Sequence, residues 1–465
     1  MPDMTNAIDV VNPFSLERIG TVETSDWDRI DAMLDTAHGL FRNRDAWLPA
    51  YQRIEILRKT ARLMEDRFDE LALLIASEGG KPLVDAKVEV KRAIDGVELC
   101  VHEIGQMTGT EIPMDLTEAG SGRIAFTQRE PIGVVVAASA FNHPLNLIVH
   151  QVAPAVATGC PVIVKPAEDT PLSCQAFVGI LHEAGLPQDW CRDVVCSNTV
   201  AEMMITDPRV GFFSFIGSAR VGWMLRSKLA PGTRCALEHG GAAPVIVAED
   251  AQIDSMIPLL AKGGFYHSGQ VCVSVQRVFA PAAKAEEIAQ KLAEAAQALK
   301  VGDATDPSVD CGPLIRPAEV DRVEEWVQEA VDGGTRVLAG GKRLGETTYA
   351  PTVLLDPPAD ARVSQQEIFG PVICVYSTDS IPQAIGTANS LPYAFQAAVF
   401  TQNLDTAMQA VRGLDATAVM VNDHTAFRVD WMPFAGRRQS GYNTGGIGYT
   451  MHDMTQDKMA VIKLR

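Results

Sequence analysis

Ile132-Gly133-Val134-Val135-Val136-Ala137-Ala138-Ser139-Ala140 is a short apolar run, broken by Phe141-Asn142-His143-Pro144. Leu145–Ala157 then reads as a helix, and Val162–Lys165 is a second short apolar run. Neither strand has a polar face, which predicts a parallel sheet covered by helices on both sides. The alternation continues outward. Pro171–Ala184 reads as a helix, Val194-Val195 as the start of a strand and Val200–Ile205 as a short helix. Gly211–Ile216 reads as a strand, Ala219–Leu229 as a helix and Cys235-Ala236-Leu237 as a strand. A doubly wound sheet of this kind takes its ligand beyond the carboxyl ends of the strands.

A second alternation runs from Pro244 to Asn422. Its strands are read at Val245–Ala248, Val353–Leu355, Val372–Tyr376, Ala397–Phe400 and Ala418–Val421, with helices such as Lys284–Leu299 and Ala318–Val331 between them. Upstream, residues 26–106 are helix-rich: Ile54, Leu57, Ala61 and Met64 recur at helical spacing, as do Leu71, Leu74 and Ile75. Glu78-Gly79-Gly80-Lys81-Pro82 ends the second of these helices. Residues 107–130 mix Gly, Pro, Thr and Glu and end in the alternating Ile124-Ala125-Phe126-Thr127, which predicts a hairpin leaving the main body. Met459–Leu464 reads as a short strand. The expected fold class is α/β, with two doubly wound α/β domains and a small β element.

The chain has 465 residues, enough for two or three cores. Its net charge of −18 argues against nucleic acid as a partner, because binding phosphates needs a basic face. It leaves room for an anionic small substrate, since a few arginines in a pocket override the global charge. Met1 to Val11 is acidic and polar, unlike a signal peptide. Ile132–Ala140 falls well short of the roughly 20 residues that span a bilayer. No membrane partner is expected. The nine cysteines are scattered with no C-x-x-C pair, which fits a reducing cytoplasm better than a disulfide framework. The histidines form no metal-ligand cluster, so no metal is expected.

Several segments carry chemistry. Cys272 lies in Gly269-Gln270-Val271-Cys272-Val273-Ser274, and Glu238 in Leu237-Glu238-His239-Gly240-Gly241. Most free cysteines are buried small hydrophobes, but Gly269 and Ser274 are poor residues for a core strand. A thiol nucleophile and a separate carboxylate base suit a reaction that captures a carbonyl on sulfur and then hydrolyses the product. Asn142 follows the first strand of the sheet, where ligand is expected. Lys165-Pro166-Ala167-Glu168 follows the second. Phe215-Ile216-Gly217-Ser218-Ala219 is strand, glycine and helix, and helix N-terminal amides suit a pyrophosphate. Glu367-Ile368-Phe369-Gly370-Pro371-Val372 and the segment Asn422–Gly441 complete the set.

Taken together, from about residue 10 onward, these segments resemble the aldehyde dehydrogenase superfamily. The resemblance implies that Cys272 attacks the aldehyde carbon and that Asn142 and the Cys272 amide hold the oxyanion. It implies that Glu238 activates the hydrolytic water. Lys165 and Glu168 would hold the adenosine ribose, Gly217 and Ser218 the pyrophosphate, and Glu367 and Phe369 the nicotinamide end. A carboxylate at Glu168 repels a 2′-phosphate, which favours NAD, with NADP possible. Two residues depart from the family pattern. His143 replaces the second aromatic of aromatic-Asn-aromatic-Pro and reads as a tolerated variant, and His239 stands where Leu is usual.

The resemblance further implies a cofactor domain from 1–106 and 131–239, a catalytic domain from 240–445, and an oligomerisation element from 107–130 and 446–465. A homodimer or homotetramer is expected. Phe427-Arg428-x-Asp430-x-Met432-Pro433 looks like a branch that includes lactaldehyde, non-phosphorylating glyceraldehyde-3-phosphate and phosphonoacetaldehyde dehydrogenases. Arg428, then Arg277, would meet an anionic aldehyde, beside Phe141. The bland alternative for Arg428 is a structural salt bridge with Asp430 or Asp423. Two rival readings stand: a coenzyme A-acylating enzyme, which typically lacks the equivalent of Glu238, and a non-catalytic binding or structural protein on the same scaffold.

Overall fold

The computed structural model describes residues 7–465. Met1–Asn6, part of the acidic start, lie outside the described residues. A six-stranded sheet forms as expected, in the order Gly441-Tyr442, Arg234–Glu238, Val210–Ile216, Val134–Ala138, Val162–Lys165, Cys191–Asp193. All its pairings are parallel except that of Gly441-Tyr442 with Arg234–Glu238. The chain adds two strands on one side of Val134–Ala138 and then two on the other. The crevice at that reversal is where a ligand sits in open α/β sheets.

Val134–Ala138 is buried along its whole length, for a reason visible in its period of two. Val135 and Ala137 pack into one apolar cluster, Val134, Val136 and Ala138 into the cluster on the opposite face. The third strand is Cys191–Asp193 rather than Val194-Val195. Those two valines are buried just past the strand, so their apolar character signalled burial and not pairing.

The second sheet has seven strands, in the order Arg336–Ala339, Thr352–Leu355, Val372–Thr378, Arg277–Pro281, Pro244–Val247, Gln396–Phe400, Ala418–Val421. Only its edge strand Arg336–Ala339 is antiparallel. Val245 and Val247 face one cluster and Ile246 the other, repeating the pattern of the first sheet.

The helix Phe68–Gly79 ends on Gly80, whose φ of 65° is the left-handed C-terminal cap conformation. The chain then turns through Lys81 and Pro82 into the helix Leu83–Ile104. That helix carries Glu89 to the start of the buried helix Asn146–Thr158. There, Glu89 Oε1 accepts the backbone N–H groups of Leu145 and Asn146, each at 3.0 Å. A carboxylate thus satisfies N-terminal donors that burial would otherwise orphan.

The expected hairpin differs in its partner. Arg123–Pro131 pairs over two residues with Glu111-Ile112, but along its whole length with Thr455–Lys463, from Thr455 opposite Pro131 to Lys463 opposite Arg123. Hydrophobic alternation marks each strand, but it does not say which distant strand it joins.

Candidate active site

A cavity of about 810 Å³ opens where the two sheets meet, within the usual range for small-molecule sites. From the first sheet, Ser139–His143, Lys165, Ala167–Asp169, Gly217-Ser218 and Glu238–Gly240 reach it from the carboxyl ends of four strands. From the second sheet come segments that lead into strands: Val271–Val273 ahead of Arg277–Pro281, and Gln366, Glu367 and Phe369 ahead of Val372–Thr378.

The segment before Cys272 is strained. His267, Ser268 and Gly269 take φ values of 48°, 55° and 71°. For the two non-glycine residues this costs about 1–3 kcal/mol each. Several bonds hold the segment. The Ser268 hydroxyl donates to the Gly312 carbonyl at 2.5 Å, Gln270 Oε1 accepts the Ile315 N–H at 3.0 Å, and Thr425 donates to the Val273 carbonyl at 2.6 Å. A Cβ at Gly269 would lie 2.1 Å from the Gly370 carbonyl oxygen, so only glycine fits.

Cys272 alone among the nine cysteines is not fully buried. Its thiol is pushed up to about 12 by burial and by the nearby Glu367 and Glu238, with Arg428 opposing. Burial raises Glu238 to about 6, again against Arg428. Burial raises Glu367 to about 8, although it accepts the Gly241 N–H at 3.2 Å. The Asn142 amide donates to the Gln270 carbonyl at 2.9 Å, which fixes its orientation and leaves its second N–H for another acceptor. His239 is no partner of Glu238. It turns beneath the helix Ala219–Arg226, where Nδ1 donates to the Gly217 carbonyl at 2.8 Å.

Phe141 and Phe369 meet edge to face with ring centroids 5.9 Å apart. Lys165 Nζ lies 3.7 Å from Glu168 Oε1. A Cβ at Gly240 would fall within 2.2 Å of the Glu367 carboxylate, so glycine makes room for that side chain. Strand, glycine, helix N-terminus and a Lys–Glu pair at strand ends form a cradle that fits a dinucleotide.

Farther along the cavity, Arg428 lies over Phe434, 3.5 Å from the ring centroid. Burial lowers its guanidinium to about 10, which leaves it charged at neutral pH. Asp430 is 3.9 Å from its Nε, but that carboxylate is already engaged. Arg92 donates twice to Asp430, at 2.7 and 3.1 Å, and His150 Nε2 sits 2.8 Å away. Despite burial, His150 and Arg92 hold Asp430 well below the usual carboxylate range. Two guanidiniums share the Asp430 carboxylate, so it matches Arg428 only in part, and Glu238 is the other acid acting on Arg428.

Arg277 requires a correction. It does not line the cavity, because its guanidinium is buried among the carbonyls of Ala242, Thr387 and Ala388 and lies 5.5 Å from the Phe279 ring centroid. Its place at the start of a strand aims it back into the second sheet. Arg92, His150 and Asn146, which do line the cavity, were not singled out from sequence. A signal was available: Asp85, Glu89 and Arg92 recur at helical spacing on a face that also carries Ala86, Val90 and Ala93. Charges on such a face need buried partners.

Two wound sheets whose loops converge on one accessible thiol beside a dinucleotide cradle define a class of cysteine-dependent oxidoreductases. The model of the aldehyde dehydrogenase family matches residues 1–460, and the chain belongs to that family. It is 34% identical over 458 residues to the 3-sulfolactaldehyde dehydrogenase of Priestia aryabhattai, covering 98% of this chain and 95% of that one. The solved structure of aldehyde dehydrogenase 21 from Physcomitrella patens, in complex with the reaction product succinate, has a TM-score of 0.95 and 34% identity, covering 100% and 96% of the two chains. The glyceraldehyde-3-phosphate dehydrogenase of Methanocaldococcus jannaschii complexed with NADP has a TM-score of 0.93 and 33% identity, covering 98% and 99%. The protein is an NAD(P)-dependent aldehyde dehydrogenase that oxidises an aldehyde to the acid.

Proposed function

We propose that the substrate is a small anionic aldehyde and that Cys272, Glu238 and Asn142 carry the chemistry. Cys272 gives its thiol proton to solvent as its sulfur adds to the aldehyde carbon, forming a thiohemiacetal. The free N–H of Asn142 and the Cys272 amide stabilise its oxyanion. NAD or NADP, held by the cradle, would supply the acceptor for the hydride that this carbon loses. Glu238, as carboxylate, takes a proton from water, which then attacks the thioester and releases the acid. Because Glu238 lies near enough to the Cys272 thiol to act on it electrostatically, free acid is favoured over transfer to coenzyme A. Lys165, Glu168, Gly217 and Ser218 would bind the adenosine and pyrophosphate, with Glu367 and Phe369 at the nicotinamide end. On this reading the first sheet holds the cofactor and the second supplies the nucleophile. The exposed Met459 and Val461, on one face of the three-stranded sheet, offer a surface for a second copy of the chain.

The buried, charged Arg428 guanidinium, beside an Asp430 already engaged by Arg92, carries the substrate assignment. It agrees with relatives named for a sulfonated and a phosphorylated aldehyde and with one that holds succinate. The test is NADH formation across neutral, carboxylated, sulfonated and phosphorylated aldehydes. An anionic aldehyde should lead, and Arg428→Ala should cut its kcat/KM by roughly ten- to a hundredfold while sparing neutral ones. Equal losses on both kinds would reduce Arg428 to a structural role.

A further inference from the structure

His143, read from sequence as a tolerated variant, sits in a built network. Its Nδ1 lies 2.8 Å from Lys81 Nζ, and Lys81 also pairs with Glu89. Lys81 and Glu89 are fully buried, whereas the His143 side chain is 11% exposed and lines the cavity. Glu89 is ionised, because it accepts two helix N-terminal amides as well as the Lys81 ammonium. Lys81 is therefore held as the ammonium ion and is a donor only. Nδ1 also lies 3.5 Å from Glu89 Oε2, but the Lys81 ammonium is the nearer neighbour and can only donate, so Nδ1 is the acceptor and the ring proton sits on Nε2. Burial and the charge of Lys81 bring His143 down to about 4, so the ring is neutral in the working range. Its neighbours place it on the substrate side: Tyr266 lies 6.1 Å away between ring centroids, and the preceding residue is Asn142.

We infer that His143 presents a neutral Nε2–H, its tautomer fixed by Lys81, to a hydroxyl on the substrate chain next to the aldehyde. The reading rests on the cavity being the aldehyde site. An uncharged donor answers an uncharged acceptor, while the anionic end has Arg428. An aromatic ring at this position would offer no donor, so the enzyme would lose its means of telling a hydroxyaldehyde from its deoxy analogue. Sites that hydrogen-bond a substrate hydroxyl discriminate strongly against analogues lacking it, because the donor is then left unpaired.

The test uses two matched pairs with the full-length enzyme: 2-hydroxypropanal against propanal, and 2-hydroxy-3-sulfopropanal against 3-sulfopropanal. The neutral pair isolates His143 from Arg428. Wild type should favour the hydroxylated member of each pair by roughly tenfold or more in kcat/KM. His143→Phe should abolish that preference, mainly by raising KM for the hydroxylated member of each pair. His143→Gln, which keeps an N–H donor, should restore much of it. Wild type without a preference overturns the proposal, as does His143→Phe losing equally on both members. Failure of the broader reading looks different: none of the four aldehydes would be oxidised by wild type, or they would be oxidised by a variant lacking the Cys272 thiol.

Discussion

Four of the carboxylates in or behind the cavity wall divide into two regions. Glu89 and Asp430 each have a cation in contact, Lys81 for one and Arg92 for the other, and each is held well below the usual carboxylate range. Glu238 and Glu367 have no cation in ion-pair contact among the described residues, and burial pushes them up to about 6 and 8. The first pair is locked in one charge state and can only hold its neighbours. The second pair can change charge near neutral pH, which proton transfer requires. The same residue type thus builds the wall or works at it, according to whether a cation was packed beside it.

The hardest test of this division is at the thiol. Cys272→Ala should lower aldehyde oxidation on the order of 10⁴-fold or more, with cofactor affinity unchanged by titration. Glu238→Gln should keep a first burst of NADH but slow steady turnover by roughly 10²–10⁴-fold. Undiminished turnover would move the general base elsewhere. Asp430→Asn attacks the other region. It leaves Arg92 and Arg428 sharing no carboxylate, and a stability loss of about 3 kcal/mol is expected in urea denaturation. If stability held and only turnover fell, Asp430 would belong with the working carboxylates.

The mildest test is pH. Below about 6 Glu238 is protonated and cannot accept a proton, so kcat should rise through that value and level off above it. Asp430 stays ionised throughout, so selectivity for anionic aldehydes should not follow that limb. Selectivity rising with kcat would couple the two regions.

Much of this was legible in the chain. Val134–Ala138 is apolar on both faces, and that alone gives a doubly covered parallel strand. Cys272 and Glu238 stand in short contiguous segments whose flanking glycines mark them, and Asn142 follows the first strand of the sheet, just ahead of Pro144. What was not legible depends on direction and distance. Nothing local says that Arg277 points back into its own sheet, or that Asp430 is met by Arg92, 338 positions away. His143 looked like a neutral replacement because its meaning lies in Lys81, which reaches it from the turn after another helix.

The antiparallel strand Gly441-Tyr442 closes the first sheet beside Glu238, and Thr455–Lys463 zips along Arg123–Pro131. Both joints tie early segments to late ones. On the ribosome, the first sheet has its parallel strands in sequence by Glu238 but must wait some two hundred residues for its closing edge, and Arg92 waits 338 for Asp430. Assembly of the reacting centre is thereby postponed almost to the end of synthesis. A nascent or truncated chain would carry Cys272 without the charge field that surrounds it in the finished fold.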